Sequence, residues 1–209
     1  TYWAFYGKER EFDPASGRYT FAYRRPIDAD AEAALRVATA RAETNGRHML
    51  IYTDMRCVAL VGDLEKQYAT EWNPEMEDHR KSVLASAPQH AAVRVNATRS
   101  RIEYDLWCFN RLMDLGVRYF YFDEIQNEGQ INPAAGLGYQ DEAGRWMPTM
   151  RLFAYRELWK RLYTMMQERG QREPVIVMHN TSTTYAGPMA FCTATWDFEE
   201  ANTDPRQRQ

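Results

Sequence analysis

Alternating strands and helices predict an α/β fold of the (β/α)8 TIM-barrel type. Three observations carry this expectation. The run Val117-Arg118-Tyr119-Phe120-Tyr121-Phe122 is mostly β-branched or aromatic and ends abruptly on Asp123-Glu124. That composition favours a strand. A capped helical pattern lies on each side of the run, so both strand faces are covered, as in a parallel sheet. Polar residues also gather where successive strands end, and in such folds the chemistry lies beyond the C-terminal strand ends.

The elements follow in order. Residues 1–25 are rich in aromatics, and Asp13-Pro14-Ala15-Ser16-Gly17 is a turn signal between two short apolar runs, predicting a hairpin or loop insertion. Asp28 or Asp30 caps a helix through Ala33–Ala38 that stops at Asn45-Gly46. His48 to Asp54 reads as a second buried strand, ending in Thr53 and Asp54. Residues 55–98 are the least regular, broken by Pro74 and Pro88. Ser100-Arg101-Ile102-Glu103 has the spacing of a capping box. It opens a helix whose apolar stripe is Ile102, Leu106, Phe109, Leu112 and Met113, closed by Gly116.

After Glu124 come about 24 residues rich in Gly, Asn and Pro; a structureless loop of this length is uncommon without a role. Thr149 caps the next helix, with Leu152, Tyr155, Leu158, Trp159, Leu162 and Met166 at helical spacing and Gly170 at its end. Val175 to His179 is a third strand, and Phe191 to Trp196 a fourth. A full barrel takes about 250 residues. With 209 residues and three or four legible strands, the expectation is that residues 1–209 form part of one barrel catalytic domain, with open sheet edges that invite association.

Composition limits the partners. The formal charge is -3, and no Lys/Arg cluster interleaves with aromatics, which argues against nucleic acid. No apolar run approaches the roughly 20 residues of a membrane span. Cys57, Cys108 and Cys192 form no CxxC or zinc pattern, and His48, His79 and His90 show no ligand spacing, so neither a metal nor another cofactor is expected.

Asp123-Glu124 is the leading candidate for catalysis. Two carboxyls at one strand end take different roles when their surroundings separate their acidities; the bland alternative is a solvated acidic turn. His179, and Asn180 after it, end the next strand on the same rim. Tyr121 shares a strand face with Tyr119 and Asp123 by two-residue alternation. Trp72, Trp146 and Trp196 lie in or beside loops, where they stack on sugar rings or simply pack; flat apolar faces with polar tips suit carbohydrate. Asp54, Asp197, Glu199 and Glu200 are weaker rim acids.

The strings Tyr119-Phe120-Tyr121-Phe122-Asp123-Glu124 and Gly136-Leu137-Gly138-Tyr139-Gln140-Asp141-Glu142-Ala143-Gly144-Arg145 resemble bacterial proteins related to glycoside hydrolase family 123. Pro148-Thr149, Arg156-Glu157, Lys160-Arg161-Leu162-Tyr163 and His179-Asn180-Thr181-Ser182 extend the likeness. It is densest over residues 100–200. Before that it runs only through the Tyr52 strand and Glu71-Trp72.

The resemblance implies a (β/α)8 catalytic barrel, with β-sandwich domains that no stretch of this chain supplies. It implies a β-N-acetylgalactosaminidase-like enzyme cutting a terminal β-linked N-acetylhexosamine, and a periplasmic or extracellular location. By the same resemblance Asp123 orients the sugar's 2-acetamido group and Glu124 is the general acid/base of a substrate-assisted, retaining reaction, a recognised exception to the two-carboxylate scheme. Two alternatives stay open. One is a glycan-binding barrel domain without catalysis. The other is a barrel glycosidase that pairs Glu124 with Asp197 or Glu200.

Overall fold

The computed structural model describes residues 2–5, 11–13, 18–20, 29–55, 57–59, 67–68, 71–73, 92–94, 96–123, 129–179 and 186–196. Strand β1 (Tyr2–Phe5) is followed by the hairpin β2 (Glu11–Asp13) and β3 (Arg18–Thr20), then helix α1 (Ala29–Thr44) and β4 (Met49–Asp54). Short strands β5 (Cys57–Ala59) and β6 (Ala92–Arg94) pair antiparallel before α2 (Arg99–Asp114) and β7 (Tyr119–Asp123). A 3-10 turn (Pro133–Ala135) and the hairpin β8 (Tyr139–Gln140) and β9 (Trp146–Met147) lead to α3 (Leu152–Glu168). Then come β10 (Val175–His179), α4 (Ala186–Met189) and β11 (Ala194–Trp196).

The main sheet has the order β1-β4-β7-β10-β11, and every neighbouring pair is parallel. Spatial order equals chain order. A doubly wound sheet reverses direction at a switch point; this one advances the same way throughout, as a barrel wall does. Among the described residues the sheet does not close, and β1 and β11 are its two edges. The anticipated parallel α/β architecture is present. The N-terminal aromatic stretch holds more than the expected hairpin, because Tyr2–Phe5 forms the first parallel strand. Nothing local separates that strand from a hairpin arm; its pairing to β4 is long-range.

Two-residue alternation divides the sheet into two faces. Ile51, Phe120 and Ile176 stand in register, as do Thr53, Phe122 and Met178. These residues are buried against the helices, with Phe109, Leu112, Leu158, Trp159 and Leu162. Phe109 meets Phe120 and Phe122 with ring centroids 5.4 and 5.3 Å apart, and Trp159 meets Phe122 at 4.2 Å. Each such buried ring contributes roughly 1.5–3 kcal/mol. The other face carries Tyr52, Tyr121 and Val177, also in register.

The apolar stripe of α2 is buried as its spacing requires, but its cap differs from expectation. Thr98, not Ser100, is the N-cap and accepts from the Arg101 N–H at 3.2 Å. Ser100 instead accepts the Trp72 indole N–H at 2.9 Å and donates to Glu71, while Glu103 pairs with Arg161. Thr149 does not cap α3 either; its hydroxyl accepts from Gly138 N at 2.9 Å, and Arg151 is the N-cap, with no side-chain cap bond. In both cases a tertiary partner outcompetes the local one. Gly116, at φ 93°, lets the chain turn from α2 into β7; a Cβ there would stand 2.9 Å from Thr39 Oγ1.

Candidate active site

Asp123 is the last residue of β7, on the face away from the helices and at the C-terminal edge. Its carboxylate is held from both flanking strands. The Tyr52 hydroxyl of β4 donates to Oδ2. On the other side His179 Nδ1 of β10 lies 2.5 Å from Oδ1. An ionised carboxylate only accepts, so in this contact Nδ1 carries the proton and donates. Tyr121 lies between the two partners, its ring 5.6 Å from Tyr52 and 6.2 Å from His179, both stacked. The His179 side chain is 5% exposed and that of Asp123 is 18% exposed. The carboxylate thus combines firm positioning with an opening to solvent.

The backbone continues the same arrangement. Asp54 pairs in register with Asp123, and Met55 N donates to Asp123 O at 3.0 Å. Trp196, half-exposed, pairs in register with His179. Asp123, Tyr121, His179 and Trp196 therefore belong to one rim. Glu124, Asn180, Asp197, Glu199 and Glu200 lie outside the described residues, as do His79 and His90. His48 precedes β4 and contacts Tyr119 edge-on at 4.7 Å, at the opposite end of the strands.

The segment of residues 129–149 is more ordered than a structureless loop. Gln130 and Thr149 bridge its ends, and the β8–β9 hairpin projects from it. Asp141 closes the hairpin turn, accepting from Ala143 N at 3.0 Å, Arg145 N at 2.9 Å and Arg145 Nε at 2.8 Å. The Arg145 backbone and side-chain donors hold that carboxyl below its ordinary range. The hairpin presents Trp146 half-exposed. The segment docks beside the start of α2: Gln130 Oε1 accepts from Ala97 N at 3.2 Å, and Asn132 Nδ2 donates to Glu71 O at 2.7 Å.

Trp72 differs from the other two tryptophans. It is 1% exposed, packed against Tyr68, Tyr104 and the Arg101 guanidinium. As placed, it offers no open face to a sugar at the Asp123 rim. Tyr52 is the site residue that sequence reading passed over. Strand alternation put it two positions before Asp54, but only parallel register brings it beside Asp123. Among the described residues no group of three or more His, Cys, Asp or Glu could hold a metal ion. No described helix is long and apolar enough to cross a membrane.

No protein-family model matches the chain, and no curated protein matches it, so the family 123 resemblance rests on the residues quoted for it. Solved structures do match. A noncanonic maltogenic alpha-amylase from Thermotoga neapolitana superposes with a TM-score of 0.52 at 12% identity, over 82% of this chain and 33% of the amylase. The chain's fold is similar to a third of a glycoside hydrolase. Two others are a GH31 family sulfoquinovosidase from E. rectale (TM-score 0.46, 14% identity, 85% of this chain and 25% of that one) and an alpha-galactosidase from Thermus thermophilus (0.40, 10%, 69% and 26%). The chain spans a third or less of each.

Proposed function

We propose that this chain supplies part of the catalytic barrel of a glycoside hydrolase, with Asp123 at the reacting centre. The supporting observation is the carboxylate pinned by Tyr52 and His179 at the C-terminal edge of a singly wound parallel sheet. A solvated acidic turn has no such partners. The finer reading is a substrate-assisted reaction on a β-linked N-acetylhexosamine. It draws on the adjacent Asp123-Glu124 pair and the family 123 resemblance.

In that reading the substrate's acetamide oxygen attacks the anomeric carbon. Asp123 accepts the acetamide N–H and stabilises the positive charge of the oxazolinium ion. A carboxylate has about four acceptor positions, so this contact is compatible with the bonds from Tyr52 and His179. Glu124 protonates the leaving oxygen and then activates water. Trp196 and Trp146 offer apolar ring faces to the sugar.

The test uses the whole protein that contains this chain. An aryl β-N-acetylhexosaminide should be cleaved, and the matching 2-hydroxy sugar should be nearly inert. Equal rates on the two would replace the acetamide nucleophile with a second protein carboxylate. Saturable binding without turnover of either would leave a glycan-binding domain.

A further inference from the structure

Helix α2 has a second face that the sheet does not use. Ser100, Glu103, Tyr104 and Trp107 recur at helical spacing beside the apolar stripe, and with Tyr68 and Trp72 they line an open groove of about 400 Å³. Its wall is a run of four rings. Tyr68 stacks on Trp72 at 5.8 Å, Trp72 meets Tyr104 at 5.2 Å, and Tyr104 meets Trp107 at 6.1 Å. Trp107 is 43% exposed, on a helix surface where polar residues are the norm.

The open acceptor of the groove is Glu103. Ser100 gives its proton to Glu71 and accepts from Trp72 Nε1 and from Thr98 Oγ1, which uses both its lone pairs. The Glu103 carboxylate is clamped by both terminal nitrogens of Arg161, at 2.6 and 2.8 Å, with acceptor positions to spare. That pairing holds the Glu103 pKa below the ordinary carboxylate range. Of the nearby cations, Arg101 pairs with Asp105, Arg111 pairs with Glu32 and lies against the Trp107 ring, and Arg99 acts on Glu103. Rigid rings beside an oriented carboxylate select a ligand that is flat and apolar on one side and donates hydroxyls at its edge.

The geometry points to a carbohydrate subsite here, in which a pyranose ring lies against Trp107 and its hydroxyls donate to Glu103, one helical turn away. The inference stands whether or not Asp123 is catalytic.

The experiment titrates the protein with maltotriose, cellotriose and N,N′-diacetylchitobiose, following the indole N–H signals of the six tryptophans by NMR. At least one probe should move the Trp107 signal saturably. Trp107→Ala should weaken that binding at least about tenfold, the equivalent of 1.4 kcal/mol, and Trp107→Phe should retain most of it. Trp196→Ala and Asp123→Asn should leave it unchanged, which separates this groove from the Asp123 rim. A Trp107 signal unmoved by all three probes, or binding indifferent to Trp107→Ala, overturns the proposal. Perturbation confined to Trp196 and Trp146 also overturns it, while favouring the reading of the Asp123 site.

Discussion

His179 and Asp123 meet across adjacent parallel strands, with Nδ1 2.5 Å from Oδ1, and 56 residues of chain separate them. Neither side chain has a local reason to point at the other. The contact exists because both residues stand at strand ends on the same face of the sheet, and it fixes the imidazole tautomer.

Substitutions at the acidic pair should separate two roles. Under the proposed reaction, Asp123→Asn in the whole protein should slow every N-acetylhexosaminide by about 10²–10³, since charge stabilisation does not depend on the leaving group. Glu124→Gln should cost roughly 10²–10⁴ on a natural sugar leaving group and far less in forming the oxazoline from a nitrophenyl glycoside. Steady-state kcat/KM on both substrate types measures this; unchanged rates for both variants would return Asp123-Glu124 to a strand-end turn.

Tyr52→Phe removes one hydroxyl and keeps the ring stacked on Tyr121. A hydrogen bond to a charged group is worth about 1.5–3 kcal/mol, so kcat/KM should fall at least about tenfold with the fold intact. Combined with Asp123→Asn the losses should be strongly non-additive. Additive losses in this cycle would mean that Tyr52 does not act through Asp123.

The Arg101–Asp105 pair is buried at both ends, with Nε donating to both carboxylate oxygens at 3.0 Å, and Arg101 Nη1 and Nη2 have no hydrogen-bond partner among the described residues. Asp105→Leu alone should destabilise by about 3–5 kcal/mol by stranding a buried cation, whereas the double change Arg101→Met with Asp105→Leu should come close to neutral. Urea denaturation of the three proteins distinguishes this from a pair that is stabilising in its own right.

Burial raises the Cys192 thiol to about 12, so the folded protein keeps this proton where the unfolded chain has lost it. The resulting stabilisation is fully present below the unfolded value of about 8.5 and is lost as pH rises through the folded value. At pH 8 iodoacetamide should label Cys192 much more slowly in the native than in the unfolded protein, read by mass spectrometry. Equal rates would show an accessible thiolate.

By itself the sequence determined the strand–helix alternation, the apolar stripes of α2 and α3, the strand ending on Asp123, and the strand ending on His179. These follow from side-chain periodicity and from breakers such as Gly116 and Gly170, which act within a few residues. Tertiary structure decided what periodicity cannot encode: that Tyr2–Phe5 joins the parallel sheet, that Thr98 displaces Ser100 as the cap, and that Trp72 is buried while Trp107 is exposed. It also brought Tyr52 to Asp123. A parallel pair is closed by a long crossover, so its register is set by burial across the whole sheet, and no neighbouring residue in the chain records it.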